Sequence, residues 1–194
     1  FGDSRRGNDA LAGPSDVLEL LERFKEGQAT SARSAGLDAG AMQSVDRVRK
    51  QLSRSVDRRV HAPTSDRARE EALLQAVLAG YPDRVAKRRR PKSPDIVFAS
   101  GGSASLDVTS VVHEAELMVA IDAEERRGGV AVRIASQIEA EWLLDLDGDS
   151  LGEVDALEWK ADAKSVDRVT RMKFGKVVLE ETGKPAPASE EKTK

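Results

Sequence analysis

The chain has 194 residues, of which 39% are hydrophobic and 34% are charged, while the formal net charge is only -3. This length fits one large domain or two small ones, since domains typically hold about 100–150 residues. The near balance of charges excludes a polybasic or polyanionic disordered tail as the whole protein. It also argues against a protein that coats nucleic acid through net charge alone. With no cysteine and two histidines, the sequence excludes disulfides and zinc–thiolate sites and makes a multi-histidine metal site implausible.

Membrane spans and signal peptides have recognisable sequence patterns. No apolar run approaches the roughly 20 residues that a membrane span needs, and no signal-peptide pattern is visible. We therefore expect a cytoplasmic protein without membrane contacts. Because the sequence starts at Phe1 rather than at a methionine, we interpret it as a processed protein or as a segment of a longer one.

The small net charge hides an asymmetry between the two halves of the chain. Residues 1–92 hold 19 Lys and Arg against 13 Asp and Glu, a net charge of +6, whereas residues 93–194 hold 12 against 21, a net charge of -9. The reversal coincides with Pro91 and Pro94, which disfavour helix on both sides. The predicted division is a flexible N-terminus over 1–14, a helical unit over 15–92, a β domain over 93–181 and a disordered tail over 182–194.

Three helices are predicted in the first unit. The first follows Ser15, which suits an N-cap, and stops near Gly27. Its apolar residues recur at helical spacing, at Val17, Leu20, Leu21 and Phe24. The third covers 66–79, with a cap at Ser65 and a stop at Gly80, and its wide apolar stripe predicts a well-buried helix.

The second helix, predicted over 41–60, combines a narrow apolar stripe with a basic surface. The stripe consists of Met42, Val45, Val48, Leu52 and Val56. The other faces carry six cations, namely Arg47, Arg49, Lys50, Arg54, Arg58 and Arg59. Such a surface either contacts a phosphate backbone or is an ordinary solvated helix face, and we favour the solvated face.

Short strands are predicted beyond residue 94. They cover 96–98, 117–121, 130–135, 154–159, 166–174 and 176–180, with a helix at 138–146 between them. Glu124 to Gly129 is expected to connect a hairpin through a loop longer than the tightest type. Several short strands with one interrupting helix favour a five-stranded OB-like barrel. The predicted class is therefore α+β, with a helical unit followed by a small OB-like β-barrel.

Motifs for catalysis are absent from the sequence. It contains no G-x-x-x-x-G-K-[ST], no H-E-x-x-H, no G-x-S-x-G and no G-x-G-x-x-G. The glycine-rich stretch Ser100–Ser103 follows a strand without opening a helix, so it is interpreted as a turn. Residues 145–149 begin like a calcium loop, but Ser150 and Ala156 occupy the positions that require Gly and Glu, which indicates an acidic turn.

The strongest local signal is a cluster of cations just before the charge reversal. Six cations without an acid fall within nine residues, at Arg84, Lys87, Arg88, Arg89, Arg90 and Lys92. Such a cluster attracts phosphate, although a solvated linker between two domains would have the same composition. Composition alone does not choose between these interpretations.

The sequence around this cluster resembles DEAH-box helicases, most closely the bacterial HrpB-type branch. Leu78–Arg89 is similar to a family segment close to A-G-[FY]-P-[DE]-R-[VIL]-A-[RK]-R. Three further matches follow in order, at the glycine-rich turn and strand Ser100–Leu106, at Glu116–Asp122, and at Val132–Ser136 with Ile138 and Glu141–Leu143. Together they cover roughly residues 72–180, while the first 70 residues match only in being helical and polar.

The resemblance implies a helical bundle followed by an OB-like domain, which together help to bind or guide single-stranded RNA or DNA. The six cations listed above would contact phosphates. The two RecA-like motor domains, with their P-loop and DEAH box, are missing, so no ATP-contacting residue carries over. ATP and Mg²⁺ are expected only in those motor domains, which would be the other partner of this region.

Two alternatives remain. Arg84 could instead pair with Asp83 or with a carboxylate at the domain interface and hold the helices to the barrel. A second half of net charge -9 with few aromatic residues is not an obvious nucleic-acid binder. The alternative function for the whole region is therefore a protein-interaction module without a nucleic-acid role. An enzymatic activity of this segment itself is not indicated, because no nucleophile, metal cluster or cofactor loop was found.

Overall fold

The structure is a computed structural model that describes residues 12–56, 63–146 and 150–186. Its class is α+β, with an N-terminal helical unit followed by a closed five-stranded barrel. The helices are α1 (Asp16–Ala29), α2 (Ala39–Ser53), α3 (Asp66–Gly80) and α4 (Trp142–Leu146), and Pro82–Arg84 forms a 3-10 turn. The predicted continuation of the second helix over 57–60 lies outside the described residues.

In the described residues, eight strands follow α3 and form two sheets. The first five are β1 (Val85–Arg88), β2 (Asp95–Phe98), β3 (Ser103–Leu106), β4 (Leu117–Arg126) and β5 (Gly129–Gln137). They close into a barrel in the order β1-β2-β3-β5-β4, and β3 and β5 are the parallel pair. The second sheet is antiparallel and has the order β6-β7-β8, with β6 at Leu151–Lys160, β7 at Ser165–Phe174 and β8 at Val177–Pro185.

The observed strands differ from the predicted domain organisation in three places. The basic segment, expected as a joint in front of the β domain, contains β1, so the barrel begins before residue 92. The strands beyond residue 150 form a separate sheet, because β1 pairs with both β2 and β4 and thereby completes the barrel. Finally, β8 continues to Pro185, into the segment predicted as a disordered tail, because its pairing with β7 extends that far.

The β4–β5 hairpin is also tighter than predicted. Arg126 pairs directly with Gly129, so only Arg127 and Gly128 form the turn. Gly129 has a φ of 123°, a backbone conformation that residues other than glycine rarely adopt. Glycine at position 129 therefore permits the short connection.

Two apolar clusters form the core. The barrel interior includes Ala86, Ile96, Met118 and Val132. A second cluster lies outside the barrel, where Leu78 of α3, Val85 and Val119 of the barrel, Leu143 of α4, and Phe174 and Val177 of the second sheet pack together. This cluster joins the helices, the barrel and the three-stranded sheet around the outer face of β1 and β4.

Helix α1 is attached to the barrel by two buried polar residues at its start. Ser15 caps the helix by accepting from the Val17 and Leu18 N–H groups, as predicted, and its Oγ lies 2.6 Å from the Oγ of Ser136 on β5. The Asp16 carboxylate accepts from the Ser110 hydroxyl at 2.8 Å and from the N–H groups of Val111 at 2.7 Å and Ala135 at 2.8 Å. One buried carboxylate therefore holds helix, loop and strand together.

Substitution of Asp16 should weaken this attachment strongly. In Asp16→Asn a neutral amide replaces the carboxylate, and the amide presents two N–H groups where three donors already converge. We expect the free energy of unfolding to fall by about 2–3 kcal/mol, the range for hydrogen bonds to a charged group, in urea denaturation. The control Glu19→Gln, at an exposed position of the same helix, should change it by less than about 0.5 kcal/mol. Equal effects of the two substitutions would contradict this role of Asp16.

Candidate nucleic-acid interface

The position of each residue relative to β1 divides the six predicted cations into two groups. One group has partners inside the protein, and the other lies on an exposed loop. Successive residues of a strand point to opposite sides of the sheet. Ala86 belongs to the barrel interior, so Arg88 points to the same side, at the end of the barrel, and is only 5% exposed. Lys87 points outward. Arg84 precedes β1 in the 3-10 turn, and the other three cations follow in the loop that connects β1 to β2.

Arg88 is a structural residue of the barrel end. Its Nε donates to the Ala115 carbonyl at 2.8 Å, its Nη2 to the Val112 carbonyl at 2.7 Å, and its Nη1 to the Ser93 carbonyl. Burial lowers the pKa of the Arg88 guanidinium from its ordinary value, because desolvation disfavours the charged form. Its donors are directed at backbone carbonyls inside the protein, so Arg88 is not presented to a phosphate.

Lys87 links the barrel to the second sheet. Its Nζ donates to the Val178 carbonyl of β8 at 2.6 Å and lies 2.8 Å from the Glu116 carboxylate. The side chain is 26% exposed, so one side of the ammonium group remains near solvent. These contacts indicate that Lys87 mainly fixes β8 against β1.

Arg84 also makes contacts within the protein, on the side of the barrel nearest α3. Its Nη1 donates to the Ile121 carbonyl of β4 at 2.5 Å, and its guanidinium carbon lies 5.3 Å from the Tyr81 ring centroid, within cation–π range. The Asp83 carboxylate is 4.0 Å from its Nε. These contacts favour the alternative in which Arg84 holds the helical unit to the barrel, although the carbonyl of Ile121 replaces the expected interface carboxylate.

The other three cations lie exposed on the β1–β2 loop. Arg89 donates from Nη2 to the Ser103 hydroxyl of β3 at 2.7 Å, which directs its side chain across the outer surface of β2 and β3. Arg90 and Lys92 are exposed and make no side-chain hydrogen bond or ion pair with the described parts of the chain. Lys92 has a φ of 61°, so the backbone turns sharply here. We call Arg89, Arg90 and Lys92 the loop cations.

The barrel surface beside the loop cations is formed mainly by polar side chains. Val97 pairs with Ser103 and Asp95 with Ser105 across β2 and β3, and these residues point away from the barrel interior. Arg127 is exposed in the β4–β5 turn. Ser103, Ser105 and Arg127 were not among the site residues predicted from the sequence. The signal that could have revealed this surface is the alternation along β2, where Val97 points outward between the interior residues Ile96 and Phe98.

Most acids of the neighbouring strands are paired with arginines. Arg126 lies 2.9 Å from Asp107, and Arg133 lies 2.7 Å from Asp122. The pKa of Asp107 is lowered, first by the hydrogen bonds from the N–H and hydroxyl of Thr109 and then by Arg126. These acids are therefore offset locally by arginines that the net charge of -9 already includes.

Two other predicted features, a glycine-rich turn and an acidic turn, lie away from the basic cluster in the sequence. Ser100–Ser103 forms the expected turn, in which Gly101 and Gly102 both have positive φ. The acidic turn at 145–149 is only partly described, since residues 147–149 lie outside the described ranges. Within residues 12–56, 63–146 and 150–186, no group of three or more His, Asp or Glu side chains is arranged to hold a metal ion. In the same ranges no helix has the length and apolar character to cross a membrane.

Comparison with known proteins finds similarity in structure but not in sequence. No protein-family model matches the chain, and no curated protein matches it. The crystal structure of the E. coli DExH-box NTPase HrpB matches 87% of this chain at 16% identity, with a TM-score of 0.52. That of the Escherichia coli DEAH/RHA helicase HrpB matches 87% at 14% identity, with a TM-score of 0.51.

In both comparisons the matched region is 21% of the other chain, so this chain spans about a fifth of their length. At sequence identities of 16% and 14%, this similarity shows a shared fold only. The helical unit and the closed barrel are therefore an arrangement that also occurs within a DEAH-type helicase.

The division of the cations predicts that substitutions of two nearby arginines change the stability by very different amounts. Arg88→Ala removes a buried guanidinium and leaves three carbonyls without their donor, so the free energy of unfolding should fall by at least about 2 kcal/mol. Arg90→Ala alters only an exposed side chain and should change it by less than about 0.5 kcal/mol. Urea denaturation of both variants measures the difference. An Arg88→Ala protein as stable as the unmodified one would contradict the structural role.

Proposed function

We propose that this chain is the C-terminal accessory region of an ATP-dependent DEAH-box helicase of the HrpB type. Two independent observations support the proposal. The sequence motifs from Leu78 to Leu143 follow one another in the order found in that family, and the fold is similar to part of two HrpB structures. The motor domains of such a protein would hold ATP and Mg²⁺, and this region would act beside them.

The role proposed for this region is to bind or guide single-stranded RNA or DNA. The barrel order β1-β2-β3-β5-β4 with a parallel β3–β5 pair supports an OB-like assignment. OB folds bind oligonucleotides on strands 2 and 3 and with the loops between strands 1 and 2 and strands 4 and 5. The loop cations and Arg127 occupy those two loops. The observation that carries the proposal is that three exposed cations border the β2–β3 surface, one of them reaching Ser103.

This proposal narrows the six predicted contact residues to three. Arg89, Arg90 and Lys92 are the phosphate contacts that we propose. The other three cations hold β1 in place: Arg84 fixes it against the helical unit, Lys87 against the second sheet and Arg88 at the barrel end. They therefore support the loop cations indirectly. Phosphate contacts position the strand without reading its sequence, so we expect little base preference from the loop cations.

Salt dependence provides the direct test. Labelled single-stranded RNA should bind the protein at about 50 mM salt and much more weakly at about 200 mM, because phosphate contacts release counterions. Each contact with a single strand contributes about 0.7 to the slope of log K against log salt. The triple variant Arg89→Ala, Arg90→Ala, Lys92→Ala should therefore flatten the slope by about 2, measured by fluorescence anisotropy.

A matched control removes the same charge elsewhere. Lys25→Ala, Arg33→Ala and Arg67→Ala change three exposed cations of the helical unit and should leave the slope nearly unchanged. An equal loss in both triple variants would mean that only net charge matters. Absence of binding by the unmodified protein at about 50 mM salt would contradict the proposed function.

A protein-interaction module is the second candidate, and the surface of α2 favours it. Four apolar side chains of the predicted stripe are more than half exposed, at Val45, Val48, Leu52 and Val56. Exposed apolar patches mark interaction surfaces, and the spacing is that of a helix–helix seam. If RNA does not bind while Leu52→Glu abolishes capture of a protein partner, this second function replaces the first.

A further inference from the structure

We propose that Lys176, in the turn between β7 and β8, is a further phosphate contact for the single strand. It lies at the end of the β2–β3 surface opposite the loop cations. The proposal rests on the proposed function, since its ligand is the same single-stranded RNA or DNA. It adds a contact from the second sheet and gives a role to the glycine-rich turn Ser100–Ser103. The strand would then run along β2 and β3, from one end of the surface to the other.

The β7–β8 turn is packed against the β2–β3 turn at the carbonyl of Ala99. The Lys176 N–H donates to that carbonyl at 2.8 Å. Gly175 has a φ of 55°, and a Cβ at this position would lie 2.5 Å from the same oxygen, so glycine is required for the close approach of the two turns. The backbone of Lys176 is therefore held at a fixed place beside the glycine-rich turn.

The side chain of Lys176 lies against Gly101. A Cβ at Gly101 would be 2.8 Å from the Lys176 Nζ and 3.1 Å from its Cδ. Lys176 is exposed, and its ammonium group makes no hydrogen bond or ion pair with the described parts of the chain. A lysine ammonium group has three N–H donors, so Lys176 presents a free charge directly beside the turn.

The turn supplies backbone donors next to this ammonium group. Gly101 and Gly102 have φ values of 103° and 91°, which glycine adopts readily and which let a ligand approach the backbone closely. The N–H groups of Ser100 and Gly102 donate to no acceptor in the described residues, and both residues are exposed. Phosphate oxygens accept from backbone N–H groups as well as from lysine, so the turn and Lys176 together suit a phosphate.

The loop cations and Lys176 border opposite ends of the same surface. The loop cations precede Asp95, where β2 begins, and the glycine-rich turn follows Phe98, where β2 ends. These ends are about 10 Å apart, given the rise of a β-strand. Ser103, the first residue of β3 after the turn, accepts from Arg89 at 2.7 Å. A nucleic-acid strand that leaves the loop cations along β3 therefore arrives at Lys176.

The charges along this path favour an anion. Asp95 is the one acid on the outer side of β2 and β3, and it stands against the three loop cations and Lys176. Asp83 lines a cavity of about 400 Å³ beside Ser100, where its carboxylate lies 4.0 Å from the Arg84 Nε. The described residues at the two ends of the surface thus supply more cations than acids.

Removal of one lysine tests the contact. The probe is a labelled oligouridine of about 12 nucleotides, within the site sizes of OB folds, and binding is measured by fluorescence anisotropy over a range of salt concentrations. Lys176→Ala should flatten the slope of log K against log salt by about 0.7, the contribution of one contact with a single strand. Lys176→Arg keeps the charge and should retain the slope. The control Lys184→Ala removes an exposed lysine near the end of β8 and should leave the slope nearly unchanged.

Combination with the loop-cation triple variant shows whether Lys176 holds a separate phosphate. Added to that variant, Lys176→Ala should flatten the slope by about a further 0.7. An unchanged slope in Lys176→Ala, together with the loss expected for the triple variant, would overturn the Lys176 contact and leave the proposed function intact. An equal change in Lys184→Ala would also overturn it, because only net charge would then matter. Absence of oligouridine binding by the unmodified protein would overturn both proposals.

Discussion

Pairing of β1 with both β2 and β4 is the constraint on which the rest of the structure depends. It closes the barrel, and it requires a run of cations to adopt strand geometry. Alternation then directs Arg88 toward the barrel end, where its guanidinium donates to three backbone carbonyls, while Lys87 reaches β8. The cost of burying a charge is offset because its donors are hydrogen-bonded. Only after Arg88 does the chain become a loop whose cations face solvent.

The same closure determines how the other elements attach. Since β1 and β4 are adjacent, their outer sides form one apolar surface, and α3, α4 and the second sheet cover it. On the opposite flank, the Asp16 carboxylate joins α1 to the loop before β4 and to β5. The β2–β3 surface is thereby left uncovered beside the loop cations. An accessory region that guides a strand needs such an arrangement, in which a rigid body presents cations from short loops.

The sequence predicted the elements better than their assembly. The Ser15 cap, the stop of α3 at Gly80 and the apolar strand runs were readable because local propensity and hydrophobic periodicity determine them. The structural role of Arg88 was not readable, because its partners Ser93, Val112 and Ala115 contribute backbone carbonyls, which have no sequence signature. Likewise, the alternation of Val154 to Trp159 predicts a strand but not which sheet it joins. The basic cluster is readable from the sequence, but only the fold could divide it into residues with partners inside the protein and residues of the exposed loop.

The central claim is that single-stranded nucleic acid contacts the exposed part of the basic cluster and not its buried part. A backbone amide NMR map of the protein with unlabelled oligouridine at low salt tests it residue by residue. The account predicts the largest shift changes at residues 89–93 and 103–105, and little change at residues 40–52 of α2. Changes concentrated on α2, with residues 89–93 and 103–105 unaffected, would contradict it.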